Sequence, residues 1–160
     1  MIKHPIEPVW DKNSKVLILG SFPSVKSREY GFFYGHPQNR FWRVLAEITG
    51  DSLPDTVQNK KAFLLSHGIA LWDVIAACDI SGSADSTIRN VVPNDISPIL
   101  KGADIGAIFV NGRTSATLYS KNTEPLTGRS AIYLPSTSPA NAAWTIQRLC
   151  TEWRAIISYL

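Results

Sequence analysis

The stretch VLILGSFPSVKSREYGFFYGHPQNRFWRVL, residues 16–45, decides the fold expected for this chain of 160 residues. Its first four apolar residues, Val16 to Leu19, end at Gly20 and predict a buried strand. A loop of about fifteen residues follows before Arg40 begins an apolar-periodic segment that predicts a helix. The loop carries five aromatic residues, which argue against disorder. We therefore expect a binding loop at the carboxyl end of a parallel strand, where open α/β sheets hold their ligands.

The composition, 44% hydrophobic and 18% charged, predicts one globular domain over residues 1–160. No stretch approaches the roughly 20 apolar residues of a membrane span, and the start MIKHPIEPVW lacks the features of a signal peptide. We expect a cytoplasmic protein without membrane association and, since nothing indicates an obligate oligomer, a monomer. Cys78 and Cys150 are expected to be buried thiols, because two cysteines are too few for an iron–sulfur cluster or a zinc knuckle.

The charge of the chain is unevenly distributed along the sequence. Residues 12–43 carry six Lys or Arg against one Glu, whereas residues 44–104 carry four basic and eight acidic side chains. Residues 105–151 return to four basic side chains against one Glu. The basic segments are also those with the Gly, Pro, Asn and Ser loops. A polyanion bound along one edge of the domain explains this pattern, and chance clustering explains it equally well.

Apolar periodicity predicts that strands and helices alternate along the chain. After an extended lead-in over 1–15, the predicted strands are 16–19, 69–75, 107–112 and 130–135, and the predicted helices are 40–49, 55–67, 94–100, 114–120 and 142–160. Residues 78–95 are rich in Ser, Asp and Asn and are expected to form a surface loop. This alternation predicts an α/β fold, a three-layer α/β/α sandwich with a mostly parallel central sheet.

Polar residues follow each predicted strand at its carboxyl end. They are Gly20-Ser21-Phe22-Pro23-Ser24, Trp72-Asp73, Asn111-Gly112 and Pro135-Ser136-Thr137-Ser138-Pro139. The carboxyl ends of parallel strands meet at one edge of a sheet, so these four groups are expected to converge on one pocket. Two residues keep a purely structural alternative: Asn39 as a helix cap and Asp73 as a turn cap.

Several chemistries have no motif in this sequence. It contains no GxxxxGK[ST] or GxGxxG phosphate loop, no HExxH and no GxSxG nucleophile elbow. His4 is terminal and His67 precedes a helix-ending glycine, so only His36 lies in the opening loop, where packing is the favoured role. A catalytic triad and a His-rich metal site are therefore not predicted.

Four segments in order along the chain carry a family resemblance. They are GSFPS at 20–24, GHPQNRFWRVL at 35–45, IFVNG at 108–112 and LPSTSPANA at 134–142. Together they resemble the uracil-DNA glycosylase superfamily. The HP-x-NRFW stretch is similar to the mismatch-specific uracil/thymine enzymes, and LPSTS is similar to the loop before their last helix. The resemblance implies the uracil-DNA glycosylase-like fold and DNA containing a deaminated base as partner.

One departure from the mismatch-type pattern points to a branch of the superfamily. Those enzymes have Gly-Ile-Asn-Pro-Gly in the first motif, with an Asn that positions the attacking water, whereas this chain has Phe22 there. The pattern resembles the hypoxanthine-DNA glycosylase branch, in which the PxN segment supplies the catalytic residue, here Asn39. The resemblance implies a monofunctional glycosylase of base excision repair that flips hypoxanthine out of DNA and hydrolyses its N-glycosidic bond, with no cofactor and no metal.

The resemblance also implies roles for individual residues. Phe41 is expected to stack on the flipped base, and Asp73 to accept the N1–H that hypoxanthine carries and adenine lacks. Asn39 is expected to orient the water through its amide. The implied base pocket comprises Gly20, Ser21, Phe22, Phe41, Asp73 and Asn111. The implied DNA contacts are Pro23, Ser24, Ser136, Thr137, Ser138, Pro139 and Asn141.

Three other functions remain open from the sequence. The first is a glycosylase acting chiefly on uracil, thymine or xanthine mismatches. The second is a non-catalytic nucleic-acid-binding protein, which Phe22 favours and Asn39 disfavours. The third is a small-molecule enzyme on a flavodoxin-like sheet, which leaves LPSTSPAN and the basic edge unexplained.

Overall fold

A four-stranded parallel sheet forms the centre of the computed structural model, which describes residues 1–160. The strands are β1 (Ile2–Lys3), β2 (Val16–Gly20), β3 (Ile69–Asp73), β4 (Ile75–Asp79), β5 (Arg89–Pro93), β6 (Ala107–Asn111) and β7 (Ile132–Leu134). The α-helices are α1 (Val25–Tyr30), α2 (Phe41–Thr49), α3 (Val57–Ser66), α4 (Ser97–Gly102), α5 (Arg113–Leu118), α6 (Glu124–Thr127) and α7 (Ile146–Trp153). The central sheet has the order β3-β2-β6-β7, and every neighbouring pair in it is parallel.

The residues of β2 explain why this sheet is covered on both faces. Val16 and Ile18 point into one apolar core, and Leu17 and Leu19 point into another. Helices α2, α3 and α7 supply the first core, whereas α4 and the segment around Tyr119 supply the second. Parallel sheets are stable only when both faces are buried. The predicted three-layer α/β/α sandwich with a mostly parallel sheet is therefore confirmed.

The buried strand expected over 69–75 is confirmed for Ile69–Asp73 but ends there, and the surface loop expected over 78–95 is wrong at both ends, where β4 and β5 lie. The chain leaves the central sheet after Asp73, and β4 starts a second sheet of order β1-β4-β5 with antiparallel pairing. Ile75, Cys78 and Ile88 bury their side chains against Phe22. Because that packing is tertiary, the Ser- and Asp-rich sequence of this segment gives no local sign of it.

The long opening loop contains a helix that the sequence pattern did not predict. Ser24 caps α1 by accepting the Ser27 N–H at 3.1 Å, and Gly31 ends it with φ +83°. The C-terminal helix is shorter than predicted, because α7 starts after Thr145 and passes into a 3₁₀ segment, Arg154–Tyr159. No helix has the length and apolar character needed to cross a bilayer.

Candidate active site

A cavity of about 520 Å³ lies where the four carboxyl ends of the central strands meet. It is lined by residues of the β2–α1 turn, the end of β3, the end of β6 and the loop after β7. All of the predicted site residues line it except Phe41 and Asn141. In particular Asn39 and Ser136, from opposite ends of the sequence, face the same space. The predicted convergence of the strand ends is therefore confirmed.

Asn39 is held at the start of α2 by its own side chain. Its Oδ1 accepts the Phe41 N–H at 2.9 Å, which fixes the plane of the amide. A carbonyl oxygen has two lone pairs, so this bond leaves one lone pair and the Nδ2 hydrogens available on the cavity side. The N-cap of α2 is Arg40 and not Asn39 as predicted, but Asn39 still braces the helix start from the preceding position. This structural bond and a chemical role are compatible in one residue.

Arg40 ties the loop after β7 to the start of α2. Its guanidinium donates to the carbonyl oxygens of Ser138 and Asn141, each at 3.0 Å, and also to that of Trp144. Its backbone N–H donates to the carbonyl of Thr137 at 3.1 Å. Partial burial, with the charge of Arg43 acting in the same direction, lowers the pKa of Arg40 from its ordinary value. This clamp joins the backbone beside Asn39 to the serine-bearing loop, and both line the cavity.

If the chain has the glycosylase activity that its family resemblance implies, Arg40→Ala is expected to lower that activity about 30-fold, because misplacing groups around a reacting centre by about 1 Å can cost up to about 100-fold. The free energy of unfolding should fall by about 1–3 kcal/mol, since the bound carbonyls lose a charged donor. Single-turnover rates and thermal unfolding measure the two effects. Arg43→Ala removes an exposed charge three residues along and should leave both close to the parent values. Parental activity in Arg40→Ala would exclude a clamp function.

Asp73 is a nearly buried acid at the end of β3, directly opposite Gly20 in the sheet register. Its Oδ2 bonds His4 Nε2 at 2.7 Å, and the side chains of the pair are 5% and 3% exposed. His4 Nδ1 in turn accepts the Ile6 N–H at 3.2 Å. Sequence reasoning treated His4 as a terminal residue and missed this pair, for which the sequence contains no local signal.

Gly20 is required by the close approach of two cavity groups. A Cβ at this position would lie 2.5 Å from Asp73 Oδ1 and 2.8 Å from the Tyr34 hydroxyl oxygen. Any side chain would therefore displace the carboxylate or the tyrosine. The absence of a Cβ lets Asp73 Oδ1 reach the cavity.

Gly20→Ala is expected to reduce activity about tenfold and stability by about 1–3 kcal/mol, the usual cost of overpacking. Single-turnover rates and the free energy of unfolding are the measurements. Gly106→Ala is the matched control, because a Cβ there meets only the Lys15 carbonyl, at 3.6 Å. If the two alanine variants behave alike, the close approach at Gly20 has no functional weight.

Asn111 links the end of β6 to the loop after β7. Its Nδ2 donates to Thr137 Oγ1 at 3.0 Å and to the Tyr34 hydroxyl at 3.2 Å, and its Oδ1 accepts the Thr137 N–H at 3.1 Å. Both amide hydrogens are thus used within the protein. Thr137 is fully buried, so its predicted DNA contact does not hold in this structure. Both residues position the loop.

Of the stacked rings of Tyr34 and Phe41, only Tyr34 lines the cavity. Phe41 is fully buried, and its ring stacks on that of Tyr34 with centroids 4.0 Å apart and an interplanar angle of 14°. The structure therefore does not bring Phe41 to the base pocket, because the tyrosine covers it. Burial raises the pKa of the Tyr34 hydroxyl, and the charge of Asp73 acts in the same direction.

Residues 83–86, between β4 and β5, form a wall that the sequence did not predict. Ser21 donates its hydroxyl to the Asp85 carboxylate at 3.3 Å. Asp85 is exposed at the mouth of the cavity, but its carboxyl lies against protein, and this desolvation raises its pKa. The hydrogen bond from Ser21 opposes that rise. The wall places a second acid at the same cavity as Asp73.

Phe22, the residue that departs from the mismatch-type motif, is 8% exposed and packs against Ile75, Cys78 and Ile88. Its ring also meets the His4 ring edge-on, with centroids 5.8 Å apart. The backbone N–H groups of Ser21 and Phe22 donate to no protein group. The first motif therefore offers backbone donors to the cavity, while its aromatic side chain joins the two sheets.

The loop after β7 is braced by its own polar side chains. Ser136 Oγ accepts the Ser138 N–H, Ser138 Oγ accepts the Ala140 N–H, and Asn141 donates to the Ser136 carbonyl. The two serines retain hydroxyl hydrogens that can donate outward. Asn141 does not line the cavity. His36 lines it, and its Nδ1 accepts the Gln38 N–H at 3.1 Å.

Comparison with known proteins decides the family. The family model of the Uracil DNA glycosylase superfamily matches residues 8–160. This chain belongs to that superfamily. The predicted family is thereby confirmed over almost the whole chain. The cavity at the strand ends is the candidate active site of this glycosylase-family protein. No group of three or more His, Cys, Asp or Glu side chains is arranged to hold a metal ion.

Two relatives and one solved structure are similar to this chain over most of its length. A protein of Methanosarcina acetivorans named hypoxanthine DNA glycosylase is 37% identical over 164 residues, covering 99% of this chain and 100% of the relative. A protein of Methanosarcina barkeri with the same name is 38% identical over 118 residues, covering 72% and 74%. The solution NMR structure of a proposed uracil DNA glycosylase from Methanosarcina acetivorans has a TM-score of 0.81 at 36% identity, covering 98% of this chain and 96% of that one.

Proposed function

We propose that this protein is a DNA glycosylase that releases hypoxanthine from DNA by hydrolysing the N-glycosidic bond. The observation that carries the proposal is its similarity, over 99% of the chain, to a relative named hypoxanthine DNA glycosylase. The cavity at the strand ends supports the proposal by its size and its chemistry. At about 520 Å³ it lies within the range of small-molecule sites, as a single extruded base requires.

The polar groups of the cavity match the lactam edge of hypoxanthine. Asp73 offers an acceptor for the N1–H, and the unpartnered N–H groups of Ser21 and Phe22 offer donors for the adjacent carbonyl oxygen O6. Adenine has an acceptor at N1 and donors at its exocyclic amine. The Asp73 acceptor would therefore face an acceptor, and the two backbone N–H groups would face donors. A site that leaves buried polar groups unpaired rejects an analogue strongly. Tyr34, in place of Phe41, supplies the ring on which the base stacks.

Asn39 orients the attacking water. An amide is too weak a base to remove a proton, but it holds a nucleophile beside an oxocarbenium-like sugar, and positioning is a large part of such catalysis. The Phe41 N–H keeps the amide in one orientation, so the remaining lone pair of Oδ1 accepts a hydrogen of the water. On the other side of the cavity, Ser136 and Ser138 donate their hydroxyls to backbone phosphates.

Alkaline cleavage of labelled duplexes after incubation with the protein tests the proposal. A duplex with inosine opposite thymine should yield abasic sites and strand breaks, and an undamaged duplex should not. Parallel duplexes with uracil and with xanthine test the related activities. Of these, release of uracil is favoured, because the similar solution structure is that of a proposed uracil DNA glycosylase. Retention of inosine DNA without any abasic product would indicate a non-catalytic binding protein and overturn the proposal.

A further inference from the structure

We infer that His4 is a positioning residue for base selectivity: in its Nε2–H form it engages Asp73 Oδ2 and turns Oδ1 toward the base as a fixed acceptor. The inference rests on the proposed function, because it concerns how the N1–H of hypoxanthine is distinguished. It assigns the N-terminal segment, which lies outside all four sequence motifs, to the active site.

The hydrogen bonds of His4 define its protonation pattern. The Nδ1 atom accepts the Ile6 N–H at 3.2 Å, so it carries a lone pair and the ring proton lies on Nε2. That proton points to Asp73 Oδ2 at 2.7 Å. Asp73 Oδ2 is therefore the acceptor of this hydrogen bond.

The surroundings of the imidazole leave it no other polar partner. The rings of Phe22, Phe33 and Trp72 lie around it with centroid distances of 5.8, 6.1 and 6.4 Å. The backbone is also held, because the His4 N–H donates to the Ala76 carbonyl at 2.8 Å beside the pairing of β1 with β4. An imidazole enclosed in this way has one orientation. Its hydrogen bond therefore also holds the Asp73 carboxylate in one orientation.

The other oxygen of Asp73 faces the cavity as a consequence. Oδ1 lies 2.5 Å from where a Cβ of Gly20 would be, and Gly20 and Asp73 both line the cavity. With Oδ2 occupied by His4, Oδ1 keeps its lone pairs for a donor on the base. A base with an acceptor in that place, such as adenine, faces an acceptor on Asp73. The carboxylate has no donor and cannot rotate away.

Two variants that differ by one methylene test the inference. Gln places its amide near the position of Nε2 and can still donate to Asp73, whereas Asn places its amide near Nδ1 and falls short of the carboxylate. Single-turnover rates are measured on duplexes with inosine and with 1-methylinosine, in which a methyl group replaces the N1 proton. The parent is expected to prefer inosine about 100-fold or more.

His4→Asn is expected to lower the inosine rate about 30-fold and to leave the 1-methylinosine rate nearly unchanged, so that the preference falls below about tenfold. His4→Gln should retain at least about a third of the parental preference. The surface pair of His67 with Asp51, at 2.8 Å, provides the control, and His67→Asn should leave both rates at parental values. Thermal unfolding shows whether the variants are folded.

Two results would overturn the inference. One is an equal loss on both substrates in His4→Asn, which indicates a merely structural role, and the other is parental rates on both substrates. Absence of any hypoxanthine release by the parent would instead contradict the proposed function itself, and the inference with it. Nitrogen NMR of the His4 ring is independent of activity: protonated Nε2 with unprotonated Nδ1 supports the inference, and the reverse tautomer overturns it.

Discussion

Asn39→Ala is expected to reduce the single-turnover release of hypoxanthine from an inosine duplex by roughly 1000-fold or more. The side chain lines the cavity and is the group proposed to hold the attacking water. Its Oδ1 is already oriented by the Phe41 N–H, so the amide needs little reorganisation when substrate binds. Alanine removes both the oxygen and the nitrogen, and a water in the cavity then has no fixed position beside the sugar.

The same substitution also removes a hydrogen bond at the start of α2, which is worth about 1 kcal/mol of stability. Asn39→Ser separates the two effects, because its hydroxyl oxygen can accept the Phe41 N–H but is too short to replace the amide. We expect the serine variant to regain stability without activity. Parental rates in the alanine variant would remove Asn39 from the mechanism. Parental rates in the serine variant would leave Asn39 only its structural role at the start of α2.

Asp73→Asn is expected to lower kcat/KM for inosine DNA by about 100-fold, because a donor would replace the acceptor that faces N1–H. His4 Nε2–H requires an acceptor, so the new amide must turn its oxygen to the imidazole and its NH₂ group to the cavity. The NH₂ then opposes the N1–H of hypoxanthine. The preference for inosine over 1-methylinosine, which has no N1 proton, should fall as well.

The control for Asp73→Asn is Asp51→Asn, which changes an acid in an exposed pair with His67. That pair has nearly the same length as the buried one, 2.8 Å against 2.7 Å, but lies outside the cavity. We expect no change in substrate preference from it. An unchanged preference for inosine over 1-methylinosine in Asp73→Asn would return Asp73 to the role of a turn cap.

The features predicted correctly are those encoded by neighbouring residues. The run Val16 to Leu19 is apolar at every position, as a strand buried on both faces must be. The apolar residues of α2 recur with helical spacing. Gly20, Asn111 and the 136–139 loop each end a predicted strand. Parallel pairing then places these ends at one rim, so the location of the cavity follows from local patterns.

The features that were missed depend on contacts between distant residues. His4 and Asp73 are 69 positions apart, and Ser21 and Asp85 are 64 apart. Nothing near His4 distinguishes it from a histidine in an unstructured terminus until β1 pairs with β4. The stacking of Tyr34 over Phe41 was missed for a related reason: both rings belong to one aromatic-rich segment, and only packing decides which is exposed.

By itself, the sequence determined the layered α/β architecture, the strand ends that form the site and the Asn39 segment, because hydrophobic periodicity and turn residues act over a few positions. Only the tertiary structure decided which groups face the base. It enclosed His4 among aromatic rings, covered Phe41 with Tyr34 and buried Thr137 against Asn111. The physical reason is that a side chain's orientation depends on the neighbours that compete for its hydrogen bonds and its surface, and those neighbours are brought together only by the fold.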